Sequence, residues 1–307
     1  MLAEHGKVKW LIVVLCALLC ASGALAQSDN VFDPALYEDK LAVWFFALPG
    51  EDHTGESILL RAPSGECMLI DGGIPTVGGQ INDFLAQLDV TDIDVVLATH
   101  MHIDHVGGLS GVMSKHKVKR LYTSPFTDYD ISPVNNLKAA AQAQGLALTP
   151  LLAGDTFCVG EVLVEVLYPF EAPVPVSQAA ITGDFLNDSS VVCRVTYKKQ
   201  TLLLMGDATR AAEAEMLNAY GDSLKADVIK VGHHGSSDAS TAAFVNTVNA
   251  AESVMCIYAF NDFNVYERYK KVGNRPWVTS IDGTVLYATD GETAAFYSEK
   301  IRKGMLK

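Results

Sequence analysis

Ten residues, Thr99-His100-Met101-His102-Ile103-Asp104-His105-Val106-Gly107-Gly108, constrain this chain more than any other stretch. Three imidazoles and a carboxylate fall within six positions, directly after the apolar run Asp94-Val95-Val96-Leu97-Ala98, which reads as a buried strand. A packed core does not tolerate adjacent polar groups without partners, and imidazole nitrogen with carboxylate oxygen is a donor set for borderline divalent cations such as Zn²⁺. In extended chain, alternate side chains share a face, so His100, His102 and Asp104 project one way and His105 the other. A turn begun at Asp104 and eased by Gly107 and Gly108 converts these into two ligand pairs, His100 with His102 and Asp104 with His105. The spacing therefore predicts a centre for one or two cations. His53 and His116 stand alone and read as ordinary hydrogen-bonded residues.

Two further apolar runs end in ligand-type side chains. Thr201-Leu202-Leu203-Leu204-Met205-Gly206-Asp207 places a carboxylate where it can bridge two cations, each oxygen taking one; its competing role is the N-cap of the helix read over 208–220. Asp227-Val228-Ile229-Lys230-Val231-Gly232-His233-His234-Gly235-Ser236-Ser237 ends in paired imidazoles, flanked by glycines that let backbone approach an ion. One of His233 and His234 completes the second metal, and the other faces substrate or donates a proton. Asp71, at the end of Leu69-Ile70-Asp71-Gly72-Gly73, either orients an imidazole from behind or caps its own turn. Such strand ends converge on one edge of an open α/β sheet, where sites form.

The pattern His-x-His-x-Asp-His after an apolar strand resembles the signature of the metallo-β-lactamase superfamily. Within it the chain is most similar to the soluble domain of ComEC-like competence proteins and their free-standing secreted relatives, over about residues 43 to 250. The resemblance implies an α/β, four-layer αβ/βα sandwich with two mixed sheets. It implies a metal centre drawn from His100, His102, Asp104, His105, Asp207, His233 and His234, with one or two Zn²⁺ and Mn²⁺ as the alternative. In this reading Asp104 and His234 belong to the catalytic centre, and His234 is the favoured ligand of its pair. The stretch Asn187-Asp188-Ser189-Ser190-Val191-Val192 resembles the family's Asn-x-x-Ser-Val-Val element, and with Ser236 it supplies second-layer or substrate-contacting candidates in Asn187 and Ser190. Lactamases and glyoxalases carry a third His for the first metal in this part of the chain; here only Asn187, Asp188 and Asp184 are near. Relatives also carry Asn-x-x-Gly-His-Pro further on, where this chain has Asn261-Asp262-Phe263-Asn264-Val265-Tyr266, with Tyr266 as a candidate replacement.

Strands read over 41–48, 57–61, 67–70, 118–122, 156–159, 162–168, 253–260, 284–289 and 293–297 alternate with helices over 78–89, 109–116, 136–144, 208–220 and 265–271. The Pro-rich run 169–182 reads as a loop bordering the site. At 307 residues and 49% hydrophobic content, one catalytic domain over 41–307, preceded by a lead-in over 27–40, is the simplest organisation. Residues 1–26 read as a cleavable secretory signal: Lys7 and Lys9, a short apolar run, then Ala24-Leu25-Ala26. An uncleaved anchor is disfavoured because a spanning helix needs about 20 apolar residues. Removal of the leader leaves Cys67, Cys158, Cys193 and Cys256, whose spacing suits either disulfides or buried thiols.

A formal net charge of -13 repels polyanions at long range, so long nucleic acid is disfavoured. The one dense basic run, residues 115–120, reads as a solvated helix end leading into a strand. Together these features predict a secreted metal-dependent hydrolase, in which metal-activated hydroxide attacks a phosphodiester of a small molecule or cell-envelope component. A lactam, lactone or thioester hydrolase, and a non-catalytic extracellular protein that retains the metal, are the alternatives.

Overall fold

The computed structural model describes residues 30–48, 50, 55–260 and 263–301. The expected secretory signal, His53 and the pair Asn261-Asp262 lie outside these residues.

Most of the strands are apolar on both faces, and this dictates the layering. β1 (Leu41–Phe45), β3 (Cys67–Ile70), β11 (Val228–Lys230) and β14 (Val285–Thr289) are buried at every position. A strand buried on both sides must lie between two other layers. One sheet has the order β15 (Ala294–Ser298), β14, β1, β2 (Ile58–Arg61), β3, β4 (Asp92–Ala98), β5 (Lys117–Thr123), β6 (Leu148–Pro150). The other has the order β13 (Arg275–Val278), β12 (Glu252–Met255), β11, β10 (Gln200–Leu204), β9 (Val192–Tyr197), β8 (Val162–Tyr168), β7 (Thr156–Val159). Val43, Phe45, Leu60, Ile70 and Leu97 of the first sheet meet Val164, Val195, Leu202, Leu204 and Val254 of the second.

The outer faces are covered by helices. Ala42, Trp44, Leu69 and Val96 pack against Ile81, Leu85, Val112 and Leu137 of the helices Gly78–Gln87, Leu109–Met113 and Ser132–Ala143. Leu203, Ile229 and Met255 pack against Ala212, Met216, Phe244 and Tyr269 of Arg210–Tyr220, Ala242–Val248 and Phe263–Lys271. The result is a four-layer αβ/βα sandwich with two mixed sheets. The lead-in contributes to it: Val31 is buried, its carbonyl accepts from Trp44 Nε1 at 2.8 Å, and Tyr37 packs edge-on to Trp44.

Each sheet carries a run of parallel strands, β3 to β6 in one and β10 to β13 in the other. Their carboxyl ends hold Asp71, the 99–108 motif, Asp207, the histidine pair and Cys256, so all of this chemistry sits along one rim of the sandwich.

Several elements differ from the sequence reading. β13 contains Pro276, which argues against a strand, but it is an edge strand, where a missing donor costs little. The 253–260 strand stops at Met255, and the following residues line a cavity beside the rim. Tyr266 does not replace the missing histidine: it is buried on the core-facing side of Phe263–Lys271 with Val265 and Tyr269. Cys67, Cys158, Cys193 and Cys256 are all unpaired thiols, three of them buried. Among the described residues no helix is long and apolar enough to cross a membrane.

Leu60 lies wholly buried between the sheets. Truncation to Ala is expected to destabilise the fold by about 2–5 kcal/mol. Urea unfolding checks this; a loss below about 1 kcal/mol would mean the two sheets are not packed face to face through Leu60.

Candidate metal centre

The centre is built outward from one buried carboxylate. Asp71 follows β3 with a left-handed φ of 58°, which Asp tolerates. It accepts from Thr99 N at 2.8 Å, from Thr99 Oγ1 at 2.7 Å, and from His105 Nδ1 at 2.7 Å. Because the Thr99 hydroxyl proton is directed to Asp71, its oxygen is left to accept from His100 Nδ1, 3.1 Å away. One carboxylate thus fixes the orientation of two imidazoles, turning Nε2 of both His100 and His105 into the cluster. The carbonyl of Cys256 does the same for His234, accepting from Nδ1 at 2.7 Å.

These ring nitrogens converge. His100 Nε2 lies 3.0 Å from His102 Nδ1, and His105 Nε2 lies 3.2 Å from His234 Nε2. Asp104 Oδ2 is 3.3 Å from His234 Nε2 and 4.0 Å from His105 Nε2. Two donor groups result, His100 with His102 and Asp207, and Asp104 with His105 and His234. Asp207 joins them through a single oxygen: Oδ2 stands 3.9 Å from His100, 3.1 Å from His105 and 3.3 Å from His234. The other oxygen, Oδ1, points inward, 3.6 Å from Lys230 Nζ, where the expectation of one oxygen per cation would have it face the second donor group. Nitrogens and carboxylates packed this closely repel unless positive charge lies between them, so the cluster fits divalent cations.

The protonation of the two groups differs. Burial, and then His105, hold His100 well below the usual histidine value, and burial lowers His102 too, so both are neutral and able to donate a lone pair. Burial acts the same way on His105 and His234 but is overridden. Asp207 and Asp71 raise His105 well above its usual value, and Asp207 with Asp104 raises His234 to about 10. Burial pushes Asp207 upward, yet His105 and His234 hold it well below the carboxylate range. In the second group protons sit where a cation would.

The remaining candidates divide. Ser190 Oγ accepts from Asp207 N at 3.0 Å, which fixes the backbone of the shared carboxylate. Asn187 is buried beside His102, with Oδ1 lacking any hydrogen-bond partner, and it stands where the third His is missing. Asp188 is occupied elsewhere, accepting from Thr209 N and Oγ1 at 3.0 and 2.8 Å, and Asp184 is exposed. His233, also expected among the ligands, lies outside these donor groups. The Gly232–Gly235 turn puts it in left-handed backbone, with Nδ1 on Asp238 at 2.8 Å and Nε2 3.4 Å from Asn187 Nδ2. Ser236 lines the neighbouring cavity of about 300 Å³ together with Asp104, His233, His234, Tyr258 and Phe260.

Two residues escaped the sequence reading. Lys230, inside β11, is wholly buried and ion-pairs with the equally buried Glu56 beneath Asp207. Burial disfavours the ammonium, but Glu56 and Asp207 hold its pKa above the usual lysine value. A lysine at the centre of Val228-Ile229-Lys230-Val231 was the visible signal. Glu56 also ties the loops together by backbone: its N–H donates to Asp104 O at 3.1 Å and its carbonyl accepts from Gly73 N at 2.8 Å. Gly55 precedes it because a Cβ there would fall 1.8 Å from Asp104 O.

Asp71→Asn replaces the acceptor shared by Thr99 and His105 and is expected to weaken cation binding roughly 10–100-fold, read by metal titration. Unchanged affinity would mean Asp71 only caps its turn. Cation uptake must displace the protons on His105 and His234, so apparent affinity should rise with pH throughout the range below about 10, the value of His234. Calorimetry in two buffers of different ionisation enthalpy reads this release; affinity independent of pH between about 6 and 9 would contradict it.

Comparison with known proteins agrees with the geometry. Residues 51–257 match the family model described as the metallo-beta-lactamase superfamily. ComE operon protein 3 of Bacillus subtilis is 27% identical over 218 residues, covering 69% of this chain and 27% of that protein. The endoribonuclease ysh1 of Emericella nidulans is 30% identical over 101 residues, 32% of this chain and 11% of that protein. The chain therefore spans about a quarter of ComE operon protein 3 and less of the endoribonuclease. Among solved structures, the metallo-beta-lactamase fold protein YhfI from Bacillus subtilis superposes with a TM-score of 0.53 at 12% identity, covering 81% of this chain and all of YhfI. The chain belongs to the metallo-beta-lactamase superfamily and carries a His/Asp cluster compatible with divalent metal binding.

Proposed function

We propose that the protein is an exported, metal-dependent phosphodiesterase for small phosphodiesters, including those borne by cell-envelope components. The observation that carries this reading is the pair of donor groups joined at Asp207 Oδ2 and opening beside the cavity. Divalent cations, Zn²⁺ by donor set or Mn²⁺ in the oxygen-richer half, supply Lewis acidity that polarises a phosphoryl oxygen and brings the ionisation of water towards neutral pH.

The chain's own residues orient everything else. Asp71, Thr99 and the Cys256 carbonyl hold three imidazoles with Nε2 forward, at no cost when substrate arrives. His233, gripped by Asp238 through Nδ1, stands at the cavity wall with its ring beside the space a substrate would enter. Met255, Ile257, Tyr258 and Phe260 give that cavity an apolar side suited to a compact leaving group.

The endoribonuclease name of one set of relatives supports the phosphodiester bond. Size and charge argue against a polynucleotide. Beyond the net charge of -13, the basic residues of β5 lie at the wrong end: Lys117 pairs with Asp92 in register, and Lys119 Nζ is neutralised by Asp94 at 2.6 Å. At about 3.3 Å per residue, that end of β4 is roughly 20 Å from the ligands.

Turnover of bis(p-nitrophenyl) phosphate and of a phosphocholine ester should require Zn²⁺ or Mn²⁺ and fall by about 100-fold or more in His102→Ala and Asp207→Asn. It should exceed turnover of an oligonucleotide or a lactam. Activity no greater than the Asp207→Asn background, across both metals, would favour a metal-retaining binding protein instead.

A further inference from the structure

The buried Lys230–Glu56 pair lies outside the donor groups, yet its geometry bears directly on how Asp207 is shared. Lys230 Nζ donates to Gly206 O at 2.7 Å, pairs with Glu56, and stands 3.6 Å from Asp207 Oδ1, which has no hydrogen-bond partner of its own. Asp207 Oδ2, on the opposite side, faces His100, His105 and His234. Glu56 also lies within reach of two further groupings that could hold a cation, one with Asp207 and His234 and one with Asp71 and His105, and the ammonium stands against it there.

We propose that Lys230 and Glu56 are positioning residues: the ammonium acts as a fixed internal cation that takes Asp207 Oδ1 and leaves Oδ2 alone to serve both donor groups. The pair anchors the site from two directions. Lys230 binds the carbonyl immediately before Asp207, and Glu56 hydrogen-bonds the backbone of Asp104 and of Gly73. With Oδ2 alone turned to both groups, the residues that would hold two cations face one common point, the arrangement two-metal hydrolysis would use. A carboxylate free to use both oxygens would let them drift apart, and an unblocked Glu56–Asp207 pair would draw one cation out of place. The inference rests on the two-cation reading of the cluster.

The test is paramagnetic resonance of Mn²⁺-loaded protein, with thermal melting in parallel, on wild type, Glu56→Gln and the double variant Lys230→Met/Glu56→Gln. Wild type should bind two equivalents and show an exchange-coupled spectrum. The double variant exchanges a buried pair for neutral side chains, a change folds commonly accept. It should melt near wild type, yet bind Mn²⁺ roughly 10–100-fold more weakly and show isolated, uncoupled ions. Glu56→Gln frees the ammonium to pair with Asp207 and should weaken binding at least as much.

A double variant with the wild-type spectrum and affinity overturns the inference and leaves the pair a purely structural role. If the double variant does not fold, Glu56→Gln decides: unchanged coupling and affinity overturn the inference, and weakened binding supports it. Failure of both to fold counts against it, because the pair then serves the fold first. Wild type that takes up no second equivalent sinks the two-cation reading and the inference together.

Discussion

The structure depends on a concentration of lone pairs and negative charge that has no internal neutralisation except His105 and His234 protonation and one lysine. Four imidazoles and two carboxylates aim into a space a few ångströms across, largely shielded from water. In such surroundings an uncompensated charge costs several kcal/mol, so the cluster persists only because something positive completes it. Asp71 makes the arrangement directional rather than merely crowded. By accepting a hydrogen bond directly from His105 and, through the Thr99 hydroxyl, fixing the one made by His100, it points two ring nitrogens the same way.

The fold supplies this geometry through parallel strands. Five segments distant in sequence end at one rim because β3, β4, β10, β11 and β12 run with their carboxyl ends there, and the sandwich core clamps the two sheets together. The turns that follow are tight enough to need special backbone. Gly55 passes beneath Asp104 where no side chain fits, and His233 and His234 adopt left-handed conformations that cost about 1–3 kcal/mol each. Strain of that kind is held only where the surrounding packing over-determines it.

Much of this was legible in the sequence, for identifiable reasons. The period and apolarity of the strands disclose the layers, and the ligand-type residues stand at strand ends, where they have no role in a core. Other features depend on three-dimensional relations that carry no local pattern. His233 and His234 are adjacent and chemically identical, and only the turn decides that one faces the cluster while the other faces Asp238. No strand is read over Arg275–Val278, where Pro276 is tolerated only because the strand lies at a sheet edge. Tyr266 looked available because the burial of one helix face cannot be read from a single aromatic residue. Glu56 was hidden because its partner lies 174 positions away, and Lys230 announced only that it must have a partner.

The central claim is that two cations share one oxygen of Asp207. Anomalous scattering from crystals grown with Mn²⁺ or Zn²⁺, measured at the absorption edge, tests it most directly. Two peaks are predicted, one among His100, His102 and Asp207 Oδ2, the other among Asp104, His105, His234 and the same oxygen. No peak at these positions, or a cation lodged between Glu56 and Asp207 Oδ1, would contradict the account.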